Sequence, residues 1–223
     1  MINFFSRQKN NITRKEQTEA FLTAKGIKIN LHLPHVEGED ETVVRPATEA
    51  AIRVTMLTVT NLVAFNTIDA KEAIDYLEHY NLVRYLTPDE KDFLANPTDD
   101  RKNQETWKCE CIWVLLWYLN IVDDLEFPDH LCDLNTIDQN HYPIHPDRDP
   151  NDFIKRDWQA RSKAEVLDAT DLYYRMNWAC VDARINGQSI DIINSDVVYE
   201  RQYALNWLVN YMNQEWDDIS CDT

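Results

Sequence analysis

Residues 107–120 read WKCECIWVLLWYLN. From Cys111 to Leu119 the run is apolar on every side of a helical wheel. A surface helix keeps one polar face, whereas a helix that is hydrophobic all round is buried. The run is also about half of the roughly 20 residues a membrane span needs. It therefore predicts the central helix of a water-soluble helical globule.

Outward from it, the rest of the chain reads in the same way. Upstream, Leu86-Thr87-Pro88-Asp89-Glu90 is a helix start, with a threonine cap, proline at the first helical position and glutamate at the third. Further helices are expected over Thr13 to Lys25, Pro46 to about Phe65, and Asp69 to about Leu82. The central helix itself is expected to begin near Asn103. Downstream, a long Asp-, Asn-, His- and Pro-rich stretch, Asp123 to Pro150, reads as a loop with a short turn around His130 to Ile137. Helices follow at Asp152 to Leu167, Thr170 to Ile185 and Val197 to Tyr211, then a tail, Trp216 to Thr223. Only Ile27 to Leu33 (IKINLHL) alternates as a strand would. The expected fold is mainly α, one compact multi-helix domain over residues 1–223 with at most a small β element near 27–33. It divides into an N-terminal sub-region, 1–85, and a motif-bearing helical core, 86–223.

Composition excludes several function classes. The chain has 223 residues and three glycines, Gly26, Gly38 and Gly187. Glycine-rich phosphate loops, dinucleotide fingerprints and nucleophile elbows all need more. Lys and Arg number 22 against 39 Asp and Glu, a net charge of −17. Nucleic acid and anionic membrane both require cationic surface, so neither is an expected partner, whereas a basic protein would be steered toward this surface. Five cysteines, Cys109, Cys111, Cys132, Cys180 and Cys221, show no C-x-x-C spacing. Met1 to Lys15 lacks the apolar core of a secretory signal. Together these suggest a reducing cytoplasm.

Candidate site residues come from polar groups placed where apolar ones are expected. Asp171, Arg175, Trp178 and Asp182 step by four, three and four, and so share one helix face. Leu172, Met176, Ala179 and Ala183 form another. A solvated face of ion pairs rarely needs tryptophan, so the stripe should be half-buried against another element or a ligand. On the last helix, Glu200 and Arg201 fall at the edge of an apolar arc (Val197, Val198, Ala204, Leu205, Leu208, Met212), with Asn206 and Asn210 opposite. A charge pair there must be partnered. The expectation is a network with Arg175, Asp182 or Arg184, structural or ligand-binding. Glu110 sits on the most apolar helix and needs a cation, which Arg53 could supply. The loop 129–149 holds His130, Cys132, Asp133, His141, His145, Asp147 and Asp149. These are metal-ligand types, but Pro143 separates the two closest histidines and no zinc-binding order is present. No metal and no cofactor are expected. No Ser-His-Asp grouping suggests a triad.

The strings WKCECIWVLLWYLN, DLYYRMNWACVDARING (171–187) and VVYERQYALNWL (197–208), followed by WDDISCDT (216–223), resemble the signature of the bacterial domain-of-unknown-function family numbered 4272. The resemblance covers residues 86–223. Trp107, Glu110, Asp171, Arg175, Trp178, Asp182, Arg184, Glu200, Arg201, Asn206, Trp207, Trp216, Asp217 and Asp218 match its motifs. Lys108 and Tyr118 depart from it, standing where arginine and alanine are common. The resemblance carries no activity, but it implies a shared polar centre between the last helices and the Glu110 helix. The leading functional expectation is a non-enzymatic protein-binding module, an immunity-type or regulatory partner of a basic protein. An enzyme or small-ligand binder with a pocket built from side chains, and a homo-oligomer subunit, stand as alternatives.

Overall fold

Capping chemistry sets most helix boundaries in the structure, a computed structural model that describes residues 13–223. Most of the segment read for a secretory signal lies outside them. In chain order the helices are α1 (Arg14–Ala24), α2 (Ala47–Ala64), α3 (Ala70–His79), α4 (Pro88–Ala95), α5 (Asp99–Thr106), α6 (Lys108–Tyr118), α7 (Pro150–Ile154), α8 (Lys163–Ile185) and α9 (Ser195–Leu208). Thr13, Asp69, Thr87 and Ser162 each close a capping box with a glutamate three residues on. Each box satisfies two backbone N–H groups that a helix start otherwise leaves unpaired. Helix ends rely on left-handed residues. Gly26 and Gly187 have φ of 75° and 65°. Asn66, Asn81 and Asn120 do the same for α2, α3 and α6 at φ of 57°, 58° and 57°. Each lets the next residue's N–H reach back into the last turn, as Ile121 N–H does to Leu116 O at 2.9 Å. Asparagine thus fills the role that scarce glycine leaves open.

The central position expected for the 111–119 run is realised. α6 lies between α2 on one side and α9 on the other, α9 packs on α8, and α8 on α1. Ile112, Val114, Leu115 and Leu116 are fully buried. α2 serves two apolar clusters at once. Ala50, Val54 and Leu57 join the α6–α8–α9 core, while Met56, Val59 and Val63 join Leu77, Leu82 and Phe93 from the α3–α4 side. No helix among the described residues is long and apolar enough to cross a membrane.

Three expectations are corrected. Residues 27–33 form no strand. Ile27 and Ile29 do turn to the core, but Leu31 is 66 % exposed. The backbone there is held by a turn (Leu33 N–H to Asn30 O, 3.1 Å) and by Lys15 Nζ, at 2.7 Å from Leu31 O and 2.6 Å from Leu33 O, not by a neighbouring strand. The central helix is two, α5 and α6, joined at Trp107. Thr98 caps the first of them, which carries Asp99 and Asp100 in its opening turn. The helices expected at 152–167 and 170–185 are redrawn as the short α7 and one 23-residue helix, α8, started by the Ser162–Glu165 box.

Candidate functional site

Glu110 and Arg201 are both buried, with side chains 0 % and 1 % exposed. A bare carboxylate in an apolar core is prohibitive, and only a fully hydrogen-bonded pair is tolerated. Here the pairing is complete for the carboxylate. Arg201 Nε donates to Glu110 Oε2 at 2.7 Å, and the Cys132 backbone N–H donates to Oε1 at 2.7 Å. Arg201 Nη1 donates onward to Tyr173 Oη at 2.9 Å, to Glu126 O at 3.2 Å and to Leu125 O. Burial works against the Arg201 charge, but Tyr173 and Glu110 outweigh it and raise its pKa above the ordinary value.

The polar residues singled out by helical spacing do not form one network. Glu200 pairs with Lys108 Nζ at 2.9 Å and accepts from Cys111 Sγ at 3.3 Å. Arg175 donates to Asp171 at 2.8 Å, to Glu19 of α1 at 3.5 Å and to Pro34 O at 3.0 Å. Lys28 bridges to Asp182 at 2.6 Å and lies 5.6 Å from the Trp178 ring centroid. So in the Asp171–Arg175–Trp178–Asp182 stripe the first two residues are fully buried and the last two partly buried, and what covers it is α1 and the 27–34 segment. The reason is angular. Residues two apart on a helix point about 200° apart, so Tyr173, and not Arg175, meets Arg201. Arg184 is exposed and makes no ion pair among the described residues; it borders a depression of about 540 Å³ with Ser189 and Tyr199. Arg53 pairs with Glu90, not Glu110, and stacks on Trp216 at 5.2 Å. Asn206, placed opposite the apolar arc, is instead buried and donates to Ser220 O at 2.9 Å.

The histidines of the 129–149 loop do not converge. His130 is exposed against Asp129 and Glu126, and His145 Nδ1 accepts its own loop's Asp147 N–H at 3.2 Å. Cys132 alone turns inward. Its thiol, Cys109's thiol and a Glu110 oxygen lie within 4.8 Å of one another. That chemistry is adverse to a cation. Both Glu110 oxygens are taken, the Arg201 charge adjoins, and contact with Cys109, then burial and Glu110, push the Cys132 thiol well up.

The ion pair does have a consequence at the surface. Arg201 holds the Leu125 and Glu126 carbonyls. Arg161 Nη2 holds those of Val122 at 3.0 Å and Asp123 at 2.7 Å. Two guanidiniums thus draw four consecutive-region carbonyls inward, and Glu126 is held at φ 58°, a conformation unusual for a glutamate. Glu110 anchors the loop a second time, at the Cys132 backbone N–H. Beside the 122–126 segment, and facing residues 136–141, lies a cleft of about 340 Å³, bordered by Asp123, Asp124, Glu126 and Asp138, with His141 among its lining residues and Trp113 in its wall. Trp113 is 6 % exposed, and its indole N–H has no partner among the described residues. The acidic loop was visible in the sequence, but its convergence on Trp113 was not, because the turn at 125–126 depends on an arginine 75 residues away.

No curated protein and no solved structure matches the chain. The family model described as Domain of unknown function (DUF4272) matches residues 14–219, which extends the resemblance read over 86–223 back through α1 to α3, and the chain belongs to that family.

Proposed function

We propose that this protein is a non-enzymatic binding module, an immunity-type or regulatory partner, that receives a basic segment of another protein in the cleft between residues 121–126 and 136–141. The observation that carries this reading is four acidic residues lining one cleft, with the buried Trp113 in its wall, beside a backbone turn pinned from inside. A lysine or arginine side chain would sit among Asp123, Asp124, Glu126 and Asp138. A backbone carbonyl beside it would accept from Trp113. The net charge of −17 would steer such a partner from a distance, in a salt-dependent way. The same charge disfavours nucleic acid and anionic membrane.

The test is titration with an oligo-arginine peptide, comparing two variants of equal net charge. In one, Asp123, Asp124, Glu126 and Asp138 are neutralised to Asn or Gln. In the other, the exposed Glu78, Asp92, Asp99 and Asp100 are neutralised instead. Binding lost only in the first variant supports the cleft. Equal weakening in both would mean that overall charge alone attracts the peptide, and the reading fails.

A further inference from the structure

A second cavity, about 390 Å³, opens between α8, α9 and the 34–42 loop. Its wall includes Gln202 and Asn206 from α9, Tyr174 from α8, Tyr211, and the acidic Glu37 and Asp222. Gln202 is 1 % exposed, and its amide oxygen is sealed from water with no hydrogen-bond partner among the described residues. Neighbouring polar groups are engaged: Thr170 Oγ1 donates to Val166 O at 2.8 Å and Asn206 Nδ2 to Ser220 O at 2.9 Å. An unmade hydrogen bond on a buried amide costs stability, and a leucine on this helix would avoid the cost. Buried polar groups left unpaired in a native protein call for an explanation such as a ligand.

We propose that this cavity binds a small organic cation carrying N–H donors, an amine or guanidine on a short aliphatic body. The Gln202 oxygen requires a donor. Glu37 and Asp222 favour positive charge, and Tyr174 and Tyr211 supply aromatic wall for the aliphatic body. The nearby Arg175 does not oppose this, because Asp171 and Glu19 neutralise it. The cavity is of ordinary size for a small-molecule site. It shares no residue with the acidic cleft, so it stands or falls separately from the proposed protein partner.

Agmatine is the probe, followed by calorimetry and thermal unfolding on the full chain. We expect agmatine to raise Tm and an equal ionic strength of sodium chloride not to. Gln202→Leu should raise Tm without ligand and weaken agmatine about tenfold or more, and Glu37→Gln should also weaken it while leaving the fold intact. Four results would each overturn the proposal. One is no binding at millimolar agmatine. Another is unchanged affinity in both variants. A third is Gln202→Leu with a lowered Tm, which would mean the amide is a structural bond. The last is binding that disappears only when the 121–141 carboxylates are neutralised.

Discussion

Arg201 Nε meets Glu110 Oε2 at 2.7 Å across the α6–α9 contact, and the same arginine holds the 125–126 turn that forms one wall of the acidic cleft. A core ion pair is here also the scaffold of a surface feature.

Removing one partner should therefore be far worse than removing both. Arg201→Met leaves Glu110 buried and uncompensated, a loss of about 3–5 kcal/mol by analogy with other broken buried pairs. Glu110→Leu with Arg201→Met removes both charges and should lose less than Arg201→Met alone. Full recovery is not expected, because the 125–126 carbonyls remain unpaired. Urea unfolding of the single and double variants measures this. A double variant less stable than Arg201→Met would contradict it.

The second arginine governs a different region. Asp171→Asn weakens the hold on Arg175, which ties α8 to α1 and to Pro34. Amide hydrogen exchange should quicken at residues 27–36 and stay unchanged at 121–141. Equal quickening in both would mean that the two arginine centres form one cooperative unit after all.

Glu105 gives a pH-dependent effect. Burial raises its pKa, and Lys108 and Arg101 only partly offset this. The folded state therefore binds that proton more tightly than the unfolded state. The group's favourable contribution is present below its unfolded pKa and is lost as pH rises through the folded one. Glu105→Gln should accordingly raise Tm at pH 7, with the gain fading as pH falls through the folded pKa into the ordinary carboxylate range. A gain that persists at low pH would assign the effect to packing instead.

The thiol pair tests the metal chemistry. Because Glu110 is saturated and the Cys132 thiol is held protonated, zinc would have to displace Arg201 or the Cys132 N–H. Stoichiometric zinc should leave Tm unchanged or lower it. A rise abolished by Cys109→Ser would contradict this.

Much of this architecture can be read from the sequence where the cause is local. The Thr87-Pro88-Glu90 start and the all-round apolar Cys111–Leu119 run each act within a turn or two, and each appears where expected. Glu110 and Arg201 were recognisable as charges in need of partners. Their pairing with each other was not, because helical spacing fixes a face but not the neighbour it meets. Ile27 to Leu33 has strand periodicity with no strand to pair with among the described residues, and the Ser162 helix start falls inside a stretch that reads as one continuous helix, Asp152 to Leu167. The 125–126 turn and the Gln202 cavity depend on contacts between distant segments, which no local pattern contains.

The indole proton of Trp113 is the most direct reporter on the cleft. Its NMR resonance can be assigned by its loss in Trp113→Phe and followed while oligo-arginine is added. We expect a saturable shift of that signal, absent when Asp123, Asp124, Glu126 and Asp138 are neutralised and diminished as salt rises. If the signal stays fixed while the peptide binds, the basic partner docks elsewhere and the cleft is not the site.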